Sequence, residues 1–181
     1  MKKIAMAVLL SASVAAPAVA ADDMHMYAGA RVGKANTSID NAVLTKDNPN
    51  GWGAFLGYSF SPMFALEGEY LNFGTIEFGT DGIKSSGLSL SGVASFPIGE
   101  EFSLFGKLGY AKITSKPTGT ATGSSLKSSG VAYGFGGQYN ISPVVGIRLG
   151  WDKYKIDDTD DTGYPIKGDV SLISIGGVFK F

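Results

Sequence analysis

Five charged residues, Arg31, Glu67, Glu69, Lys107 and Arg148, stand in segments where residue character alternates, and all five fall on the same side of the alternation. Side chains two apart on an extended strand project to one face. Charge on an enclosed face is costly unless each group finds a counter-charge or water. The five therefore predict one of two things: a paired ionic network that ties strands together, or a wet interior in which exchange between pairs opens a path for ions.

Other chemistries fit the sequence less well. Glu67 and Glu69 offer two carboxylates, but residues two apart on a strand project in parallel and do not flank a substrate as a glycosidase pair must. His25 is the sole histidine; it precedes the first strand and has no serine or cysteine nucleophile fixed beside it. Asp157, Asp158, Asp160 and Asp161 are clustered, yet lack the spacing and central glycine of a calcium-binding EF-hand loop and read as a solvated loop. Gly134-Phe135-Gly136-Gly137 is followed by no helix N-terminus that would cradle phosphate. The expectation is no catalytic residues, no metal and no cofactor.

The elements that carry these charges are strands. In the first, Met26, Ala28, Ala30 and Val32 form one face and Tyr27, Gly29, Arg31 and Gly33 the other. Seven more segments of the same period follow, at Trp52 to Phe60, Phe64 to Leu71, Leu88 to Phe96, Phe102 to Lys112, Val131 to Tyr139, Val145 to Tyr154 and Ser171 to Phe181. Each approaches the roughly 9 to 11 residues a tilted strand needs to cross a bilayer. Connections alternate in length: Ser61–Met63, Pro97–Glu101 and Asn140–Val144 are short, with Pro62, Pro97 and Pro143 fixing φ. Ala35–Gly51, Asn72–Gly87, Ile113–Gly130 and Lys155–Val170 are long, and Thr114–Ser129 has the composition of a mobile loop. Tight turns at one end and long loops at the other are the asymmetry of an outer-membrane barrel.

Composition agrees with this. Met1-Lys2-Lys3, an apolar stretch from Ile4 to Leu10, and Ala18-Val19-Ala20 make a secretory signal peptide over residues 1–20, with cleavage expected after Ala20. The remaining 181 − 20 = 161 residues, 21–181, amount to one domain. The 26 glycines disfavour helices, and no later segment approaches a helical span of about 20 apolar residues. A formal charge of −1 with mixed signs leaves no electrostatic footprint for nucleic acid. With no cysteine, closure must come from backbone hydrogen bonds.

Residue size says which face meets lipid. One face carries Trp52, Tyr58, Phe60, Leu104, Leu108, Tyr110, Tyr133, Phe135, Tyr139, Leu149, Trp151, Phe179 and Phe181, with aromatics near the strand ends as interfacial girdles place them. The other face is rich in glycine and serine, which suits a narrow eight-stranded interior. A lipocalin-type soluble barrel, the main competing architecture, would point its bulky apolar set inward and its charges outward.

Several stretches resemble the OmpA-like outer-membrane barrels. Phe96-Pro97-Ile98-Gly99-Glu100-Glu101-Phe102 through Tyr110 is similar to the family's turn and fifth strand, and Tyr27 to Gly33 to its first. Leu66-Glu67-Gly68-Glu69-Tyr70 resembles the third strand, and Gly137 to Pro143 with Gly146 to Trp151 the sixth and seventh. The resemblance covers essentially all of residues 21–181 and implies an all-β, eight-stranded antiparallel up-and-down barrel. It also implies an outer-membrane location among lipid and lipopolysaccharide, as a monomer, and export past periplasmic chaperones to the barrel-insertion machinery, for which Phe179 and Phe181 would form the terminal signal.

Two positions depart from the family. Its inward acidic residue on strand six is Gln138 here, and its inward lysine on strand four falls at Val93, so its salt-bridge gate does not transfer residue by residue. No peptidoglycan-binding domain is expected after Phe181. The implied function is a structural barrel with surface loops, or a low-conductance pore using Arg31, Glu67, Glu69, Lys107, Arg148 and Gln138. The alternatives are an OmpW-like channel for small hydrophobic solutes and a lipid-modifying outer-membrane enzyme; the latter depends on a catalytic histidine that no strand here supplies.

Overall fold

The computed structural model describes residues 24–39, 49–78, 81–118, 126–159 and 165–181. They form β1 (His25–Ile39), β2 (Asn50–Ser59), β3 (Phe64–Phe78), β4 (Asp81–Ile98), β5 (Phe102–Thr118), β6 (Leu126–Asn140), β7 (Val145–Thr159) and β8 (Pro165–Lys180). Each strand pairs antiparallel with the next, and β1 closes on β8 from Tyr27↔Lys180 to Ile39↔Gly168, giving one closed barrel. Closure leaves no unpaired edge, the condition for an isolated sheet in lipid. The proposed signal segment 1–20, its cleavage site, and Asp160 and Asp161 lie outside the described residues.

Two of the tight turns share one chemistry. In Ser61-Pro62-Met63-Phe64 the serine Oγ accepts from Phe64 N at 3.0 Å; in Ser142-Pro143-Val144-Val145 it accepts from Val145 N at 3.1 Å. The hydroxyl mimics a backbone acceptor and proline presets φ, so the same four-residue pattern turns the chain twice. The third turn uses Gly99 at φ +80°, open to glycine without strain. Pro97, expected in that turn, instead lies within β4, one residue before its end and opposite Ser103.

The strands run well past the expected limits at the long-loop end. β4 begins at Asp81, where the alternation suggested Leu88, and β5 continues to Thr118, beyond Lys112. The segments 72–87, 113–130 and 155–170, read as loops, are largely hydrogen-bonded ladder, and Asp157 and Asp158 belong to β7. Ladder bonds are made by backbone groups and persist where side-chain alternation no longer marks a lipid face. β3 bends at a bulge between Asn72 and Thr75, where Gly74 takes φ +85° and donates its N–H to Asn72 Oδ1 at 3.0 Å.

The outer surface is apolar across the middle of the barrel, with Leu108 and Ile173 each 66% exposed. Aromatic pairs border it at both ends: Trp52 against Tyr70 (5.6 Å) and Tyr133 against Trp151 (6.1 Å) toward the loops, Phe60 against Phe64 (6.4 Å) and Phe179 against Phe181 (6.2 Å) toward the turns. Phe60 directly follows β2, eight residues after Trp52, about 26 Å at the rise of a strand.

Candidate functional site

The inward faces fill the barrel in three layers. Nearest the loops, Ala35, Leu71, Phe73, Ala111, Ile113, Ala132, Val170 and Leu172 form a buried apolar cluster. Tyr154 belongs to it too, its ring edge-on to Phe73 at 5.3 Å. Nearest the turns lies a second cluster of Tyr27, Phe55, Ala65, Val93, Phe105 and Val178. Charge sits between the two.

That middle layer holds three cations and three carboxylates from four strands, β1, β3, β5 and β7. Arg31 of β1 pairs through Nε with Glu69 of β3 and through Nη1 with Asp152 of β7. Its Nη1 also reaches Ser174 Oγ at 3.2 Å, and Nη2 donates to the Tyr154 hydroxyl at 2.9 Å. Lys107 of β5 lies 3.0 Å from Asp152, 3.3 Å from Glu69 and 3.5 Å from Glu67. Arg148 of β7 donates to Glu67 Oε2 at 2.6 Å and, through Nε and Nη2, to Gln138 Oε1 at 3.1 and 3.0 Å. Tyr27 donates to the same Glu67 oxygen at 2.9 Å.

Burial makes these pairs mutually dependent. Glu67 and Asp152 are each 2% exposed, and an ion removed from water with no partner costs several kcal/mol. The Arg148 guanidinium is further held over the rings of Phe105 (4.8 Å), Phe55 (4.9 Å) and Tyr27 (5.3 Å), whose faces attract cations. Glycines make the room: a Cβ on Gly57 would lie 2.1 Å from the Tyr27 ring, and one on Gly134 would lie 2.2 Å from Asp152 Oδ1.

All six residues singled out from the sequence, Arg31, Glu67, Glu69, Lys107, Arg148 and Gln138, point inward, and the network links them. Val93 is buried in the turn-side cluster, and Gln138 serves as a neutral acceptor for Arg148. Sequence reasoning missed Asp152, Tyr27 and Tyr154 as polar partners. The signal for Asp152 was present: it lies four residues from Arg148 and two from Gly150, on the same face of β7. The interior is also less uniformly polar than expected, since apolar layers lie on both sides of the charges.

The space left inside is small. A cavity of about 10 Å³ sits among Arg31, Glu67, Lys107 and Arg148, room for about one water. A larger one of about 160 Å³ lies on the turn side of Arg148.

Phe179 and Phe181 lie on the outer surface at the turn end. Among the described residues, no group of three or more His, Asp or Glu is arranged to hold a metal ion.

Comparison with known proteins agrees with this architecture. The family described as outer membrane protein beta-barrel domain matches residues 4–181. Outer membrane protein A of Escherichia fergusonii is 30% identical over 200 residues, an alignment covering 100% of this chain and 56% of that protein. The chain thus spans about half the length of the curated relatives it matches. Among solved structures, Ail, the attachment invasion locus protein of Yersinia pestis, has a TM-score of 0.65 at 22% identity, covering 88% of this chain and 100% of that one. Neisserial surface protein A has a TM-score of 0.66 at 17% identity, covering 86% and 97%. These two likenesses are of fold.

Proposed function

Because this chain belongs to the outer membrane protein beta-barrel domain family, and is therefore a protein of the bacterial outer membrane, we propose that it acts as a closed structural barrel that carries surface loops. In this reading it is a monomer among outer-membrane lipid and lipopolysaccharide, with neither a pore nor an enzyme active site in its resting state. Residues 1–20 serve as the signal peptide, residues 21–181 as the barrel, and Phe179 and Phe181 as the mark read by the insertion machinery.

One observation carries the reading. An ion crossing the lumen meets two barriers of different kinds in series: the paired charges, and then the apolar layer of Leu71, Phe73, Ile113, Val170 and Leu172. Breaking an ion pair removes the first barrier and leaves the second, because a dry apolar constriction excludes ions by the cost of desolvating them. A low-conductance pore is the second reading. It is favoured by Lys107, which stands within 3.5 Å of three carboxylates and so has alternative partners ready for exchange.

Planar bilayer recording with the folded protein separates the two. Silence across the voltage range supports the closed barrel; discrete, reproducible channel steps from the unaltered protein would replace it with the pore.

A further inference from the structure

The cavity on the turn side of Arg148 is not explained by closure alone. It has a volume of about 160 Å³, and its lining includes Arg148, Lys180 and His25; among the described residues no Asp or Glu lines it. We propose that this vestibule is a binding site for a small oxyanion, a carboxylate or phosphate group arriving from the periplasmic side.

Charge is the first argument. In the middle layer, three cations balance three carboxylates. Lys180 lies outside that balance. It is half-buried on β8, its ammonium donates to the neutral Asn140 Oδ1 at 3.0 Å, and no carboxylate among the described residues pairs with it. Glu101, in the turn before β5, is engaged on the outer surface by the Tyr139 hydroxyl at 2.7 Å. A partly desolvated ammonium facing a polar cavity leaves a positive potential that an anion relieves.

Donor supply is the second argument. The hydroxyls of Ser59, Ser95 and Ser103 line the same cavity from three other strands, so an oxyanion beside Lys180 meets hydrogen-bond donors from several directions. Such charge-assisted bonds are the stronger kind. Gln138 matters by being neutral: it occupies two nitrogens of Arg148 without adding the negative charge that would cancel the field below. The volume admits a phosphate or carboxylate group with a few waters. The opening lies at the turn end, so the ligand comes from water and not from the lipid around the barrel.

The test is a titration of the isotope-labelled full chain, folded in maltoside micelles that contain no phosphate. Sodium phosphate and sodium acetate are added separately at fixed ionic strength, and backbone amide shifts are followed. Saturable shifts with either anion, confined to the turn-side ends of the strands that line the vestibule and largest around Lys180, Asn140 and the three serines, are expected. Lys180→Gln, which removes the ammonium, and Asn140→Asp, which sets a carboxylate against it, should each weaken the apparent affinity about tenfold or more. Lys84→Gln, on the outer surface near the loops, should bind as the unaltered protein does. A mobility shift on boiling checks that each variant is folded. Shifts that grow linearly without saturating, or equal affinity in folded Lys180→Gln and Asn140→Asp, would overturn the site.

Discussion

The turn-side and loop-side halves of the barrel obey opposite patterns on the same strands. Toward the turns and across the middle, large apolar side chains point outward, as at Leu56, Leu104, Leu149 and Ile175, while glycine, serine and charge point inward, joined near the turns by the small cluster around Phe55 and Phe105. Toward the loops the phase flips. Lys34, Lys84, Lys112, Lys116 and Lys155 are exposed on the outside, and Leu71, Phe73, Ile113, Val170 and Leu172 are buried within. The upper half is built like a soluble barrel and the lower half like a membrane one, and the ionic layer lies where they meet. Outside the β3 bulge the period of two is kept; what changes is the character of the outward residues. Closing the lumen therefore does not rest on charge alone.

Four substitutions break or sharpen this contrast, and the largest effect should come at the junction. Arg31→Ala leaves Glu69 and Asp152 buried around Lys107 alone and should cost about 3–5 kcal/mol, seen as a lower urea midpoint in lipid vesicles. Leu172→Ala opens a hole in the apolar layer at a residue 1% exposed and should cost about 3 kcal/mol by the same measurement. Gly57→Ala presses a methyl into the Tyr27 ring and should cost about 1–3 kcal/mol; it should also disturb the Tyr27 hydrogen bond to Glu67, visible as a shifted tyrosine signal in near-ultraviolet circular dichroism. Lys153→Ala removes the 2.7 Å contact to Asp169 on the outer surface, where solvent screens it, and the unfolding midpoint should not move measurably.

The phase flip also sets how much could be read from the sequence. Across the lipid zone, apolar and small residues alternate, and β2, β3 and the turns were legible there, together with the inward parity of Arg31, Glu67, Glu69, Lys107 and Arg148. Above it, the run Asp152-Lys153-Tyr154-Lys155 has a charge on both faces and offers no apolar contrast to orient it. Asp152 was passed over for that reason, although its spacing from Arg148 places it inside. Leu71, Phe73 and Leu172 were hidden for the converse reason: inward apolar residues beside outward polar ones look like a broken membrane strand, and the ladder continues through them regardless. The vestibule was beyond reach, because it depends on which side chains from all eight strands leave space between them.

The central claim is that charge and apolar packing each close the lumen independently. A double-variant cycle in planar bilayers tests it, comparing the unaltered protein, Glu67→Ala, Leu71→Ala with Leu172→Ala, and all three changes together. If closure is in series, the first three preparations stay silent and the triple variant conducts. Channel steps from folded Glu67→Ala alone would show that the ionic layer is the sole gate and contradict the account.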